Sequence, residues 1–324
     1  MTWWLATACW TCVVITQIAV LSIAFNISRS IFLAALQAVI PHAGALNVIV
    51  VFVAAITGDL LLLTASLLQV AWITLIVARL LLSHVRHRPN KEGSSGSAMS
   101  ILHVNVLYVN PTPNQAARDV IDNDADVLTF SELTTELHDA LLAHEHADRW
   151  PHRHVVLGPG ADGVGVWSKY PLANAREGRL VTKTALLSQV TTDSGHRFSL
   201  VVVHPMPPVN RAKTRDWAPS LRAIGEVVTM SDLPAIVIGD FNTTFWHGPL
   251  RDLFARGLRS AHLIHGQFLA GTFPVGRWLR PIVRLDHALV TKGVVVHDVH
   301  DFRVSGSDHL GIVVSVSTTP NVMS

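Results

Sequence analysis

Only three charged side chains, Arg29, Asp59 and Arg79, occur in the first 82 residues. A stretch that long and that poor in charge cannot be the surface of a water-soluble domain, so it must be buried in a core or a bilayer. Residues 3–25, WWLATACWTCVVITQIAVLSIAF, carry no charge at all. At ~1.5 Å per residue they cross a ~30 Å hydrocarbon layer. Trp3 and Trp4 suit the headgroup region. A cleaved leader would begin with a basic segment and a shorter apolar run, so this stretch reads as an anchor. Residues 30–82 are interrupted only at Pro41-His42 and Gly58-Asp59. Two parsings are open. One has a span at about 31–56, kinked at Pro41, and another at 60–82. The other has an interfacial helix at 30–41, a short span from about 43 to 58, and the same last span. Both give about three transmembrane helices within residues 1–82. Cys9 and Cys12 lie one helical turn apart in apolar surroundings with no partner pair, which makes them packing residues.

Residues 83–100, SHVRHRPNKEGSSGSAMS, are polar, rich in Gly and Ser, and basic at the start. They read as a flexible linker between the anchor and a globular domain at 101–318. The chain is 49% hydrophobic and 15% charged, with mean hydropathy +0.37. Residues 98–324 nevertheless hold 20 basic and 21 acidic side chains. That near-neutral balance lacks the broad basic footprint of a non-specific nucleic-acid binder.

From residue 101 short apolar strands recur, and several start or stop on a residue of catalytic type. ILHVNVL contains Asn105, and DVLTFSEL ends at Glu132. FSLVVVHPMPP reaches His204, and AIVIGDFN ends in Asp240 and Asn242. RLDHALV opens with Asp286 and His287, and SGSDHLGIVVSV sets Asp308 and His309 before a strand. Amphipathic stretches at 114–123, 134–147 and 215–230 predict helices between them. The pattern is an α/β layered domain with its polar residues gathered at one sheet edge. On extended backbone Asp240 and Asn242 would point to one face; an Asx-turn closing the strand is the alternative. Taken singly, each His or Asp is an ordinary cap or surface residue. His138, His144, His146, His152 and His154 read as solvated helix or loop positions.

The ordered set N…E…H…GDFN…DH…SDH resembles the endonuclease/exonuclease/phosphatase superfamily, the DNase I-like fold, across essentially all of 100–317. GVGVWSKYPL (163–172) and GTFPVGRWLRPIVRLDH (271–287) add to the likeness. The apolar amino terminus and HPMPP look like the membrane-anchored bacterial branch that includes teicoplanin-resistance membrane proteins, a looser match. The resemblance implies a four-layer α/β sandwich and a divalent-metal-dependent phosphoester hydrolase. On it, Glu132 would bind Mg²⁺, with Mn²⁺ as the alternative, and Asn105 and Asp308 would lie nearby. Asp240 and Asn242 would position the attacking water and the phosphate. His309, held by Asp286, would balance charge or act as base, and His204 would bind a phosphate oxygen. Two departures stand out: Pro follows His204, and His287 replaces an aromatic or aliphatic residue.

This chemistry suits the residues. Phosphoryl chemistry needs positioning and charge neutralisation, and Mg²⁺ takes one or two carboxylates among hard oxygens. No closely spaced His/Cys set favours zinc. Arg211, Lys213 and Arg215 are candidates for distal phosphates. The leading expectation is a membrane-held hydrolase of a lipid-linked or envelope phosphate or pyrophosphate. The alternative is a membrane-tethered nuclease, and nucleic acid is the lesser substrate candidate. A catalytically dead binding domain is disfavoured by the intact set. The expected partners are the lipid bilayer and a phosphate-bearing substrate, with no protein partner evident. The loop FPVGRWLRP (273–281) reads either as one that dips Trp278 and Leu279 into an interface or as an ordinary packed loop of the sandwich. Three spans put the amino terminus and the catalytic domain on opposite sides. Arg79, Arg86, Arg88 and Lys91 favour a cytoplasmic catalytic domain; the resemblance favours the outside, the preferred reading.

Overall fold

The computed structural model describes residues 2–27, 30–85, 98–276 and 280–318. Arg29, Arg86, Arg88, Lys91, Arg277, Trp278 and Leu279 lie outside them, as does most of the expected linker.

The region expected to be the anchor consists of α1 (Trp3–Ala24), α2 (Ile31–Ala38), α3 (Ile40–Thr57) and α4 (Leu60–Val85). α1, α3 and α4 are each long and apolar enough to cross a membrane. Residues 31–57 form two helices, α2 and α3, parted at Val39, so one continuous kinked helix over 31–56 does not form. Ser30 caps α2 by accepting from Leu33 N. Pro41 sits in the first turn of α3, where its missing N–H costs nothing. Gly58, with φ +73°, closes α3 in the left-handed conformation, and Asp59 Oδ1 accepts from Leu62 N to start α4. Polar side chains inside the bundle find partners. Asn47 Nδ2 donates to Thr16 Oγ1 at 2.9 Å and Gln69 Nε2 to the Val13 carbonyl at 2.6 Å. Such pairs satisfy polar groups that the apolar bundle would otherwise leave unpaired.

The globular region runs β1 (Met99–Asn105), α5 (Pro113–Asp122), β2 (Val127–Ser131), α6 (Thr135–Leu142), β3 (His152–Val156), β4 (Val164–Ser168), β5 (Leu172–Leu180) and β6 (Lys183–Thr191). It continues with β7 (Arg197–Val203), α7 (Arg211–Thr229), β8 (Ala235–Asp240), α8 (Gly248–Ala255), β9 (Arg259–Ser260), α9 (Ala261–Ile264), β10 (Asp286–Val290), β11 (Val294–Arg303) and β12 (Leu310–Thr318). Two six-stranded sheets form, in orders β11-β12-β1-β2-β4-β3 and β5-β6-β7-β8-β10-β9. The two-residue period of the strands sorts the side chains. Ile101, Leu200, Val202, Ile236, Ile238 and Val314 fill the space between the sheets. Leu102, Val104 and Leu128 face α5 and α6 on one outer side. Val201, Val203 and Val237 face α7 and α8 on the other. The result is the mixed α/β sandwich expected from the sequence.

Three local expectations change. The helix expected over 134–147 ends at Leu142. His152 and His154 lie in β3 rather than in a loop or helix. α8 was not anticipated. The second outer layer also does more than cover its sheet, because Trp217, Phe245, Leu250 and Phe254 share one apolar cluster with Ile23, Ala34, Ile40 and Leu80 of the anchor. The globular region therefore sits directly on the helix ends.

Candidate active site

Six strand ends meet at one edge of the sandwich. Asn105 closes β1, and Glu132 follows its parallel neighbour β2. β7 hands the chain to His204. Asp240 closes β8 directly opposite Asp286, which opens the antiparallel β10. His309 immediately precedes β12, antiparallel to β1. Where neighbours run in opposite senses, the end of one strand lies beside the start of the next. Residues distant in sequence thus gather without a long loop.

Asn105 joins the two sheets, its Nδ2 donating to Glu132 Oε1 and to Asp240 Oδ2, each at 3.0 Å. Tyr108 N donates to Glu132 Oε2 at 3.0 Å. His204 Nε2 lies 3.8 Å from Glu132 Oε1 and 3.7 Å from Asp240 Oδ2. His309 Nδ1 is 2.8 Å from Asp286 Oδ2, and its Nε2 is 3.9 Å from Asp240 Oδ2. Ser307 Oγ donates to the Asn105 carbonyl at 2.6 Å and accepts from His309 N. The Phe273 ring lies 4.9 Å from the His309 ring.

The GDFN stretch resolves as a division of labour. Asp240 Oδ1 accepts from Asn242 N at 2.8 Å, an Asx-turn, and Asn242 has φ +49° rather than an extended backbone. The same-face expectation for an extended pair is therefore replaced by a turn. Asp240 Oδ2 still faces the cluster, while Asn242 Nδ2 donates to the Pro205 carbonyl at 3.0 Å, beside His204.

Burial and charge work against each other here. Burial opposes an imidazolium at His309, but Asp286 and Asp240 beside it prevail and push its pKa up to about 10. Burial would raise Asp286, yet His309 holds it below the usual carboxylate range. Asp240 is raised, chiefly by burial and with Asp286 adding to it. His204 is lowered by burial, against the pull of Asp240. The site thus combines one imidazolium, one neutral imidazole and two carboxylates of opposite tendency.

Of the remaining candidates, Asp308 is half-buried and contributes to the raised pKa of His309; its backbone carbonyl accepts from Val275 N at 2.7 Å. Arg211 and Arg215 are exposed at the start of α7, and among the described residues neither bonds to the cluster. One buried residue was missed. His103 Nε2 lies 3.9 Å from Asp286 Oδ1, on the far side from His309. Among the described residues neither atom has a hydrogen-bond partner, and burial pushes His103 down to about 3. Its place two residues before Asn105, on the same face of β1, was the available signal.

The family whose sequence model matches, described as the endonuclease/exonuclease/phosphatase family, spans residues 102–309 and includes every residue of this cluster. The chain belongs to that family. Its members are phosphodiesterases, phosphatases and nucleases, and they depend on divalent metal. Among solved structures, TDP2 from D. rerio in complex with a single-strand DNA product is 17% identical, with TM-score 0.58, covering 69% of this chain and 100% of that one. A mannosyl-6-phosphatase from Bacteroides thetaiotaomicron is 16% identical, with TM-score 0.55 and coverage of 68% and 99%. The human Nocturnin catalytic domain with bound sulfate is 19% identical, with TM-score 0.53 and coverage of 68% and 95%. At such identities the likeness is one of fold. A search of curated proteins gave no significant match.

The donor set fits a hard divalent cation. Glu132 retains some solvent access, and the hydrogen bonds it accepts come from neutral donors, the Asn105 amide and Tyr108 N. Spare carboxylate lone pairs therefore remain for an ion. Asp240, Asp286 and His309 also lie close enough together to hold a metal. Asp286 and His309 already satisfy each other, however, and Asp286 is fully buried, so the Glu132 side is the better seat.

Proposed function

We propose that this chain is a membrane-anchored, Mg²⁺-dependent hydrolase of a phosphoester or pyrophosphate on a lipid-linked or envelope substrate, with Mn²⁺ as the alternative ion. The observation that supports it is the seating of the catalytic edge. The segment that follows Asn242 packs within five residues onto the anchor helices, through Phe245, Trp246 and the hydrogen bond from His247 to the Ala34 carbonyl. A headgroup held in the same bilayer meets such a site at high effective concentration. Exposed Leu269 and Ile282 line a crevice with Ala38 at the end of α2 and Pro41 and His42 at the start of α3, which suits contact with lipid.

A bound Mg²⁺, held by Glu132 with Asn105 and Asp308, would withdraw charge from a phosphate oxygen. The protein groups supply the rest. Asp240 Oδ2 accepts a proton of the attacking water as the water oxygen bonds to phosphorus, and Asn242 holds the phosphate beside it. The P–O bond to the leaving group breaks, and the leaving oxygen takes the electron pair and then a proton from solvent. Imidazolium His309 places positive charge against the phosphate, its ring fixed by Asp286. Neutral His204 donates to a phosphate oxygen. Arg211 and Arg215 would meet distal phosphates of a longer headgroup. The resemblance to teicoplanin-resistance membrane proteins supports an extracytoplasmic catalytic domain in the cell membrane, with the amino terminus on the other side.

The test is full-length protein in vesicles with Mg²⁺, assayed against a polyprenyl pyrophosphate, a lipid phosphodiester and DNA. Lipid hydrolysis is expected to exceed DNA cleavage by a wide margin. DNA cleavage without lipid activity would make this a tethered nuclease. Glu132→Gln is expected to cut metal affinity by about 10- to 100-fold or more with the fold intact, read by metal titration and thermal unfolding. Full activity of that variant at limiting metal would remove Glu132 from the site. Carboxy-terminal reporter fusions test the orientation; an active cytoplasmic reporter reverses it.

A further inference from the structure

Between Asn242 and α8 the chain makes a turn whose members are all buried: Thr243, Thr244, Phe245, Trp246 and His247. The catalytic end of this turn is pinned by Trp217 Nε1, which donates to the Asn242 carbonyl at 3.1 Å. Beside it, His287 Nε2 bonds to the Thr243 carbonyl at 2.8 Å. His287 is the residue that departs from the family pattern after Asp286, and here it serves the turn.

The other end is held by His247. Thr244 N donates to His247 Nδ1 at 2.8 Å, so Nδ1 must be the acceptor and the proton must sit on Nε2. Nε2 then donates to the Ala34 carbonyl of α2, also at 2.8 Å. Burial keeps this imidazole neutral, with a pKa of about 4. The Trp217 ring stands edge-on to it, with ring centroids 4.9 Å apart. One tryptophan therefore touches both the Asn242 carbonyl and the ring that grips the anchor. Arg251 Nη2 makes a second bond of the same kind to the Ile23 carbonyl at the end of α1, at 2.7 Å. Gly248 lies so close to Asn26 that a Cβ would collide with its side chain.

We propose that His247 is a positioning residue that transmits the seating of the anchor to Asn242, so the hydrolase reaches full rate only when α2 is docked. This rests on the phosphohydrolase reading for its rate measurements. The two nitrogens have separate jobs, and two substitutions separate them. His247→Gln can place an N–H where Nε2 reaches Ala34 and loses the acceptor for Thr244 N. His247→Asn can accept from Thr244 N but falls short of Ala34.

The experiment measures kcat and KM of the full chain in vesicles on a soluble aryl phosphodiester, for wild type, His247→Ala, His247→Asn and His247→Gln. His247→Ala and His247→Asn are expected to lose about 10- to 100-fold in kcat, the scale of a small misplacement of a reacting group, with KM within about two-fold. His247→Gln should recover most of that loss. Ala34→Leu overfills the anchor side of the contact without touching the catalytic region, and should reproduce the His247→Asn loss. Recovery by Asn instead of Gln, or a normal rate in Ala34→Leu, would reduce His247 to a local turn residue. Hydrogen exchange supplies a readout independent of turnover. Amides of 30–38 and 241–247 should loosen together in His247→Asn, and loosening confined to 244–247 would overturn the coupling. If wild type is inert on every phosphate ester while exchange shows the joint loosening, the reaction assignment fails and the coupling stands.

Discussion

Two buried histidine–aspartate clusters lie in neighbouring parts of this molecule, and they are built on opposite plans. In the first, Arg284 holds Asp301 through Nη1 and Nη2 at 3.1 and 2.6 Å, donates Nε to the Ala270 carbonyl, and lies 2.9 Å from His262 Nε2. Its charges cancel. Despite burial, Asp301 is held at about 2 by His262 and Arg284, and buried His262 falls to about 4. In the second, Asp240 and Asp286 share His309 between them, with His204 and His103 on the flanks. Among the described residues no guanidinium closes it. Among the described residues Asp286 Oδ1, His103 Nε2 and His204 Nδ1 have no hydrogen-bond partner, against only the neutral His262 Nδ1 in the first cluster, and one carboxylate is raised while the other is lowered. A cluster that satisfies its charges within itself suits holding the fold; one that keeps spare capacity suits the chemistry proposed for it.

That contrast can be broken by substitution. The largest effect is expected from Asp240→Asn, which should lower kcat by about 10³- to 10⁴-fold, as loss of a group acting on the reacting water. Thermal unfolding of the same variant should show stability unchanged or higher, because a crowded buried carboxylate is removed. A variant that is both inactive and unfolded would place Asp240 with the structural cluster. Arg284→Met should do the reverse, costing about 3–5 kcal/mol of stability by stranding the Asp301 charge, measured by denaturant unfolding in detergent. Retained stability would show that cluster to be dispensable.

Smaller effects sharpen the comparison. Asp286→Asn and His309→Ala should each lower kcat by about 10²- to 10³-fold, and the double variant should be little worse than either, as for groups acting as one unit. Multiplicative losses would separate them. The pH dependence should differ as well. With its pKa raised to about 10, His309 contributes stability that is full below the ~6.5 of an unfolded imidazole. That contribution is lost as pH rises through about 10. The stability gap between wild type and His309→Ala should therefore narrow from pH 7 to pH 10, while the Arg284→Met gap stays level. A level gap for His309 would argue against the imidazolium.

The sandwich and the convergence of Asn105, Glu132, His204, Asp240, Asp286 and His309 were legible in the sequence because each residue ends or begins an apolar strand. A strand end fixes where a side chain emerges, and the order of motifs fixes which sheet edge it joins. The three long apolar helices were legible for a similar reason, since charge is nearly excluded along their length. His103 was not legible because a lone histidine in an alternating strand looks the same whether it meets Asp286 or packs inertly. The Asx-turn at Asp240 depends on the left-handed backbone of Asn242, and the sequence could offer it only as an alternative. Least legible was the seating of the domain on its anchor. His247 and Arg251 bind backbone carbonyls of α2 and α1, and a carbonyl is present at every residue, so no side-chain pattern advertises the partner.

The pairing of β1 with β12, from Met99 opposite Val316 to His103 opposite Ile312, has a consequence for biogenesis. A central strand of the first sheet waits for a neighbour encoded more than two hundred positions later, the kind of non-local contact that slows folding. At ~5–20 residues/s of synthesis that wait is on the order of tens of seconds, during which α1, α3 and α4 have already been made. His309 sits at the start of the late strand, and Ser307 stitches that start to Asn105. Glu132 and Asp240 therefore exist in the nascent chain well before the imidazole that balances them. The complete cluster assembles only with the closing strand, after the three long apolar helices have been made.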